Sequence, residues 1–141
     1  MLEIGESVDA MVWVAIGTGG AVGAAMRRIL FGLVERFSPS DPSGTWTRFG
    51  PARATLIVNI LGSLLLGWTV GEDAIGQGDS GEAIRAFWVV GVCGALTTFS
   101  TLCADAVGHT RARGSKNGAL VLTANLVLGI AALILGMNLA R

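Results

Sequence analysis

The sequence predicts an all-α membrane protein of four transmembrane helices, the third of them broken. Three observations predict it. Of the 141 residues, 52% are hydrophobic and only 14% are charged. The charges gather between apolar runs, whereas a soluble domain of this length spreads them along amphipathic faces. Four apolar segments, at about 11–34, 55–70, 87–107 and 119–139, each approach the roughly 20 residues that a spanning helix needs. Residues 1–141 therefore read as a single four-span membrane domain. The net charge of zero is uninformative, and no basic patch suggests nucleic acid.

The first segment follows M-L-E-I-G-E-S-V-D-A, which carries three acids and no base. A secretory signal needs a positive start and a small-residue cleavage site, so this segment is expected to stay as a span. Its run V-A-I-G-T-G-G-A-V-G has the glycines of a dinucleotide fingerprint but lacks the strand, helix and later acid that such a site requires. Gly19 and Gly23 instead form a small-xxx-small pair, which lets a second membrane helix approach closely. Gly91 with Ala95, and Ser63 with Gly67, repeat the spacing. Arg27 and Arg28 interrupt the apolar pattern near the end of the span. Two readings stand for them: arginines snorkelling to the interface, or cations at a pore mouth that concentrate an anion.

A Pro/Gly/Ser-rich loop, S-P-S-D-P-S-G-T-W-T-R-F-G-P, leads to the second and shortest segment, A-T-L-I-V-N-I-L-G-S-L-L-L-G. Asn59 is its one strong polar group. An amide in hydrocarbon needs partners, either across a helix interface or as a donor facing a pore. Thr55 and Ser63 lie four residues to either side, so all three share a helical face and suggest a polar track.

An acidic, glycine-rich loop precedes the third segment. Its middle reads G-V-C-G-A-L-T-T-F-S-T, with Thr97, Thr98, Ser100 and Thr101 around the aromatic Phe99. Polar groups at bilayer depth are costly unless they face protein, water or an ion, so a broken helix that lines something is expected here. A basic stretch, H-T-R-A-R-G-S-K-N-G, reads as the third loop, with His109 a solvated member of it. Trp13, Trp68 and Trp88 lie near span ends, where indole rings favour the interface.

Four spans put the N-terminus, second loop and C-terminus on one side, with Arg85 and Arg141. The first and third loops share the other side, with Arg36, Arg48, Arg53, Arg111, Arg113 and Lys116. The positive-inside rule then places those loops in the cytoplasm and both termini outside. Cys93 and Cys103 are ten residues apart, which suits neither a metal site nor a redox motif. No catalytic constellation appears, so an enzyme is not expected. The available groups are amide, hydroxyl and the edge of a phenyl ring, all of which can face an anion. No acid lies in the middle of a span, which disfavours a proton-coupled or cation carrier.

G-G-A-V-G-A-A-M-R-R in the first span, A-T-L-I-V-N-I-L-G-S-L-L-L-G in the second and G-V-C-G-A-L-T-T-F-S-T-L in the third together resemble the Fluc (CrcB) family of fluoride channels. The fourth span adds a loose match through Gly129 and Gly136. The resemblance implies small four-helix subunits paired antiparallel, in dual-topology fashion, in the lipid of the cell's inner membrane, with two fluoride pathways per dimer. It implies Asn59 as the pore amide, Phe99 as the aromatic contact, and Ser100 and Thr101 as hydroxyls beside it. Arg27 falls on the family's first-span arginine. The backbone carbonyls of Gly94 and Thr97 are implied ligands of a structural sodium ion between subunits.

The chain departs from the family pattern at Leu102, where a second phenylalanine is usual, and in having no tyrosine in its fourth span. Asn125 or Thr123 could supply a polar group there. The strong loop-charge bias predicts insertion in one orientation and pairing with an oppositely oriented homologue, with a homodimer as the alternative. Two other readings follow: a structural partner subunit whose own pathway is degraded, and a small dual-topology transporter.

Overall fold

The computed structural model describes residues 2–37, 50–72, 75 and 80–141. Most of the first loop, including Asp41 and Arg48, and most of the acidic second loop lie outside the described residues. The elements of the described chain are all helices: α1 (Leu2–Phe37), α2 (Gly50–Gly71), α3 (Gly81–Arg85), a π-helical segment (Ala86–Cys93), α4 (Gly94–Leu96), α5 (Phe99–Arg113) and α6 (Ser115–Leu139). Four stretches are long and apolar enough to cross a membrane: Ala10–Phe37, Ala52–Gly71, Gly81–Arg113 and Ser115–Leu139. At 1.5 Å per residue, the 36 residues of α1 extend about 54 Å, well beyond a hydrocarbon core of about 30 Å.

The third span is one bent, joined run from Gly81 to Arg113. Its first half contains the π-helical segment, whose wider turn is a frequent companion of functional sites. The bend falls at Thr97 (ψ 157°) and Thr98 (φ −147°, ψ 114°), both extended. α2 packs chiefly on α6, α1 on the π-helical segment, and α5 on α6.

Small residues make these contacts close. Gly19 of α1 faces Gly91 of the π-helical segment, where a Cβ would stand 2.8 Å from the Gly19 Cα. A Cβ at Gly67 of α2 would collide with the Leu133 carbonyl oxygen of α6, and one at Gly136 with that of Leu64. The glycine spacing in the sequence thus marks backbone-to-backbone approach, which is how helices pack where lipid removes the hydrophobic incentive.

The third loop differs from expectation. Residues 109–118 are helical except for Gly114, whose φ of 88° turns the chain directly from α5 into α6. Only glycine holds that conformation without strain. Arg111 and Arg113 occupy the last turn of α5, where the helix dipole favours cations, so a basic stretch suits a helix end as well as a loop. His109 is consequently not a solvated loop residue. It is half-buried on α5, with Nδ1 3.2 Å from the Asp105 carbonyl oxygen.

Candidate functional site

The site is organised by Asn59. Its Oδ1 accepts from the Thr98 N–H at 2.8 Å, and its Nδ2 donates to the Thr98 carbonyl at 3.3 Å. One side chain of α2 therefore engages both main-chain groups of the bend. Nδ2 also donates to Asn125 Oδ1 of α6 at 3.0 Å, and Asn125 Nδ2 donates to the Val121 carbonyl at 3.1 Å. The amide ties three spans together, so the interhelical role open to it in the sequence is realised. A buried polar group left without such partners would cost about 1–3 kcal/mol.

Thr98 also caps α5. Its Oγ1 accepts from the Thr101 N–H at 3.3 Å, the usual service of an N-cap threonine to the third helical residue. The same oxygen lies 2.9 Å from Thr101 Oγ1 and 3.4 Å from Ser100 Oγ. The hydroxyl-rich run in the sequence is thus a linked cluster at a helix N-terminus. Thr97 Oγ1 donates backward to the Cys93 carbonyl at 3.0 Å.

These bonds have a consequence for the carbonyls. In an uninterrupted helix the Thr98 N–H would go to Gly94 and the Thr101 N–H to Thr97. Here the first goes to Asn59 and the second to the Thr98 hydroxyl. The Gly94 and Thr97 carbonyls therefore lose their helical donors, and carbonyls freed in this way suit a hard cation. Gly94 is exposed, with open space where a Cβ would stand. The donor set is compatible with the sodium ion that the resemblance implies. Among the described residues no cluster of three or more His, Cys, Asp or Glu side chains could hold a metal.

The expected pathway residues divide between two cavities. Asn59, Gly94, Thr97, Thr98, Phe99, Leu102 and Asn125 line one of about 600 Å³. Phe99 is 76% exposed there, while Leu102 is buried with Ala52, Ala106 and Val121. Arg27 and Thr101 line a second cavity of about 270 Å³, with Ala24, Arg28 and Phe31. Ser100 is exposed and lines neither cavity, but its Oγ lies 3.4 Å from Thr98 Oγ1 of the first. The structure thus brings Asn59 together with Phe99 but does not bring Arg27 to either. Ser63 faces the first cavity, while Thr55 is fully buried and donates to Asp105 Oδ2 at 2.6 Å.

Asp105 is the residue that sequence reasoning missed. It is the one carboxylate within the predicted spans, near the end of the third. The signal was available, because Thr55 sits on the Asn59 face of α2 and needed a partner. The oxygen of Asn125 likewise had a visible claimant in Asn59.

A family model described as "CrcB-like protein, Camphor Resistance (CrcB)" matches residues 14–137. A protein of Methanopyrus kandleri named "Fluoride-specific ion channel FluC" is 39% identical over 127 residues, covering 90% of this chain and 87% of its own. One of the same name from Ignicoccus hospitalis is 37% identical, covering 95% and 97%. "Fluoride-specific ion channel FluC 1" of Nitrobacter hamburgensis is 34% identical, covering 90% and 93%. With matches of this extent across all four spans, the chain belongs to the CrcB family.

Proposed function

We propose that this chain is a subunit of a fluoride channel, which lets fluoride leave the cell passively and relieves its toxicity. The observation that carries the reading is the hold of Asn59 on both main-chain groups of Thr98, beside the exposed Phe99 and a chain of hydroxyls. The fluoride-channel names of relatives matched over nearly their whole length support the choice of ion.

In this reading Arg27 draws the anion to Thr101, and Ser100, Thr101 and Thr98 offer hydroxyl protons along α5. Asn59 and the Phe99 ring edge receive the ion on the other side. Each group meets an anion with the positive end of a dipole. Asn59 must release one donation to take the ion. The 3.3 Å bond to the Thr98 carbonyl is longer than the 3.0 Å bond to Asn125 and costs less to give up.

The bend at Thr97–Thr98 serves as the break in the third helix. The Gly94 and Thr97 carbonyls would hold a structural sodium ion there, which supplies fixed positive charge at a subunit contact. The subunits pair antiparallel in the inner membrane, with the termini of this chain outside. Its six-to-two loop-charge bias, with Arg27 and Arg28 left out of the count, favours an oppositely oriented homologue as partner over a second copy. Mapping the termini of the chain expressed alone tests this: one orientation is expected, and equal amounts of both would restore the homodimer.

A second reading, a partner subunit with a degraded pathway, draws on Leu102. It lines the first cavity yet packs into an apolar cluster and presents no ring edge. Fluoride efflux from liposomes, with any required companion chain present, separates the readings. Asn59→Asp keeps the shape but places negative charge where the anion must stand, so efflux is expected to cease. Undiminished efflux would exclude Asn59 from the path.

A further inference from the structure

We propose that Arg28 is a second anion-collecting residue, acting with Arg27 to draw fluoride from water to the pathway mouth at Thr101; this rests on the channel reading above. Ala24, Arg27, Arg28 and Phe31 follow the spacing i, i+3, i+4, i+7, which gathers them on one face of α1. That face and Thr101 enclose the cavity of about 270 Å³. Both guanidiniums line it, and among the described residues neither is engaged by a hydrogen bond or an ion pair. The opposite wall leads inward, because Thr101 Oγ1 lies 2.9 Å from Thr98 Oγ1, and Thr98 is held by Asn59. An anion in this cavity therefore stands between two cations and the hydroxyl cluster. The acid on the same stripe is Glu35, seven residues on and about 10 Å along the axis, a full Debye length at ordinary salt.

Arg28 is exposed whereas Arg27 is half-buried, so the two divide the work by depth. The outer cation faces water and its influence is screened by salt. A unit charge about 7 Å from an ion in a water-filled mouth raises the ion's local concentration about threefold. Charge, not shape, is what Arg28 contributes.

The test is initial fluoride efflux from vesicles holding the protein in its native assembly, at about 10 mM and about 1 M ionic strength, where the Debye length falls from about 30 to about 3 Å. Arg28→Gln is expected to slow efflux about threefold at low ionic strength and leave it nearly unchanged at high. Arg28→Lys should keep the rate. Arg28→Glu should slow it about tenfold at low salt, and it decides the matter if Arg28→Gln does not fold. Equal rates for Arg28→Gln and the unaltered protein at low salt, or a deficit of the same size at both salts, overturn the proposal. A net-anionic lipid headgroup could satisfy the same guanidinium. A deficit present in phosphatidylglycerol vesicles and absent in phosphatidylcholine ones, at either salt, would assign Arg28 to lipid and also overturn it. If the unaltered protein passes no fluoride at either ionic strength, the channel reading itself falls, and this inference with it.

Discussion

The two cavities at the start of α5 differ in how their polar groups are engaged. One is walled mainly by apolar side chains and holds its polarity in a few committed groups, with Asn59 bound at 2.8, 3.0 and 3.3 Å to partners on two other spans. The other is smaller and carries two guanidiniums with no partner among the described residues. In the first, the proposed anion path and the fold draw on the same hydrogen bonds. In the second, the charges enter no such bond among the described residues. A mutation therefore reports differently in each: amide-side changes register in stability and flux together, arginine-side changes in flux alone.

The largest effect expected from this contrast comes from Asn59→Leu. It leaves the Thr98 N–H and the Asn125 oxygen without their partner, at a cost of about 2 kcal/mol or more. Thermal unfolding in detergent should show a clear fall, and efflux should be lost as well. A variant of unchanged stability would mean that the bend holds itself. Thr98→Val should cost about 1 kcal/mol through the lost cap, with Thr98→Ser restoring most of it. Equal stability of the valine and serine variants would show that the hydroxyl is dispensable to α5. The smallest change in stability is expected for Arg27→Gln, within about 0.5 kcal/mol, accompanied by slower efflux. A large drop in melting temperature there would erase the distinction between the cavities.

The four spans were legible because apolar run length is a direct consequence of bilayer thickness. Close packing at Gly19, Gly67 and Gly91 was legible too, since small residues one turn apart have few other uses in lipid. What escaped was every fact that depends on the path of the chain between spans. Asn59 announced that it needed partners, but the sequence could not name Thr98, 39 residues away, as the main one. Arg27 stood in the sequence as either an interface or a pore-mouth residue, and only the structure puts it on a different cavity from Asn59. The third loop was misread because polarity distinguishes membrane from water and not helix from loop. A single glycine at φ 88° was enough to make the turn. Asp105 was not legible as a half-buried acid because it lies near a span end, where a carboxylate ordinarily reaches water, and only the fold brings Thr55 to it.

Gly114 also limits how far the last two helices can separate. A connector of one residue lets the ends of α5 and α6 part by only a few ångströms. The last two spans therefore have no slack tether between them once folded. In the folded protein they stand as a closed hairpin, α5 packed on α6, with Arg111 and Arg113 at its tip.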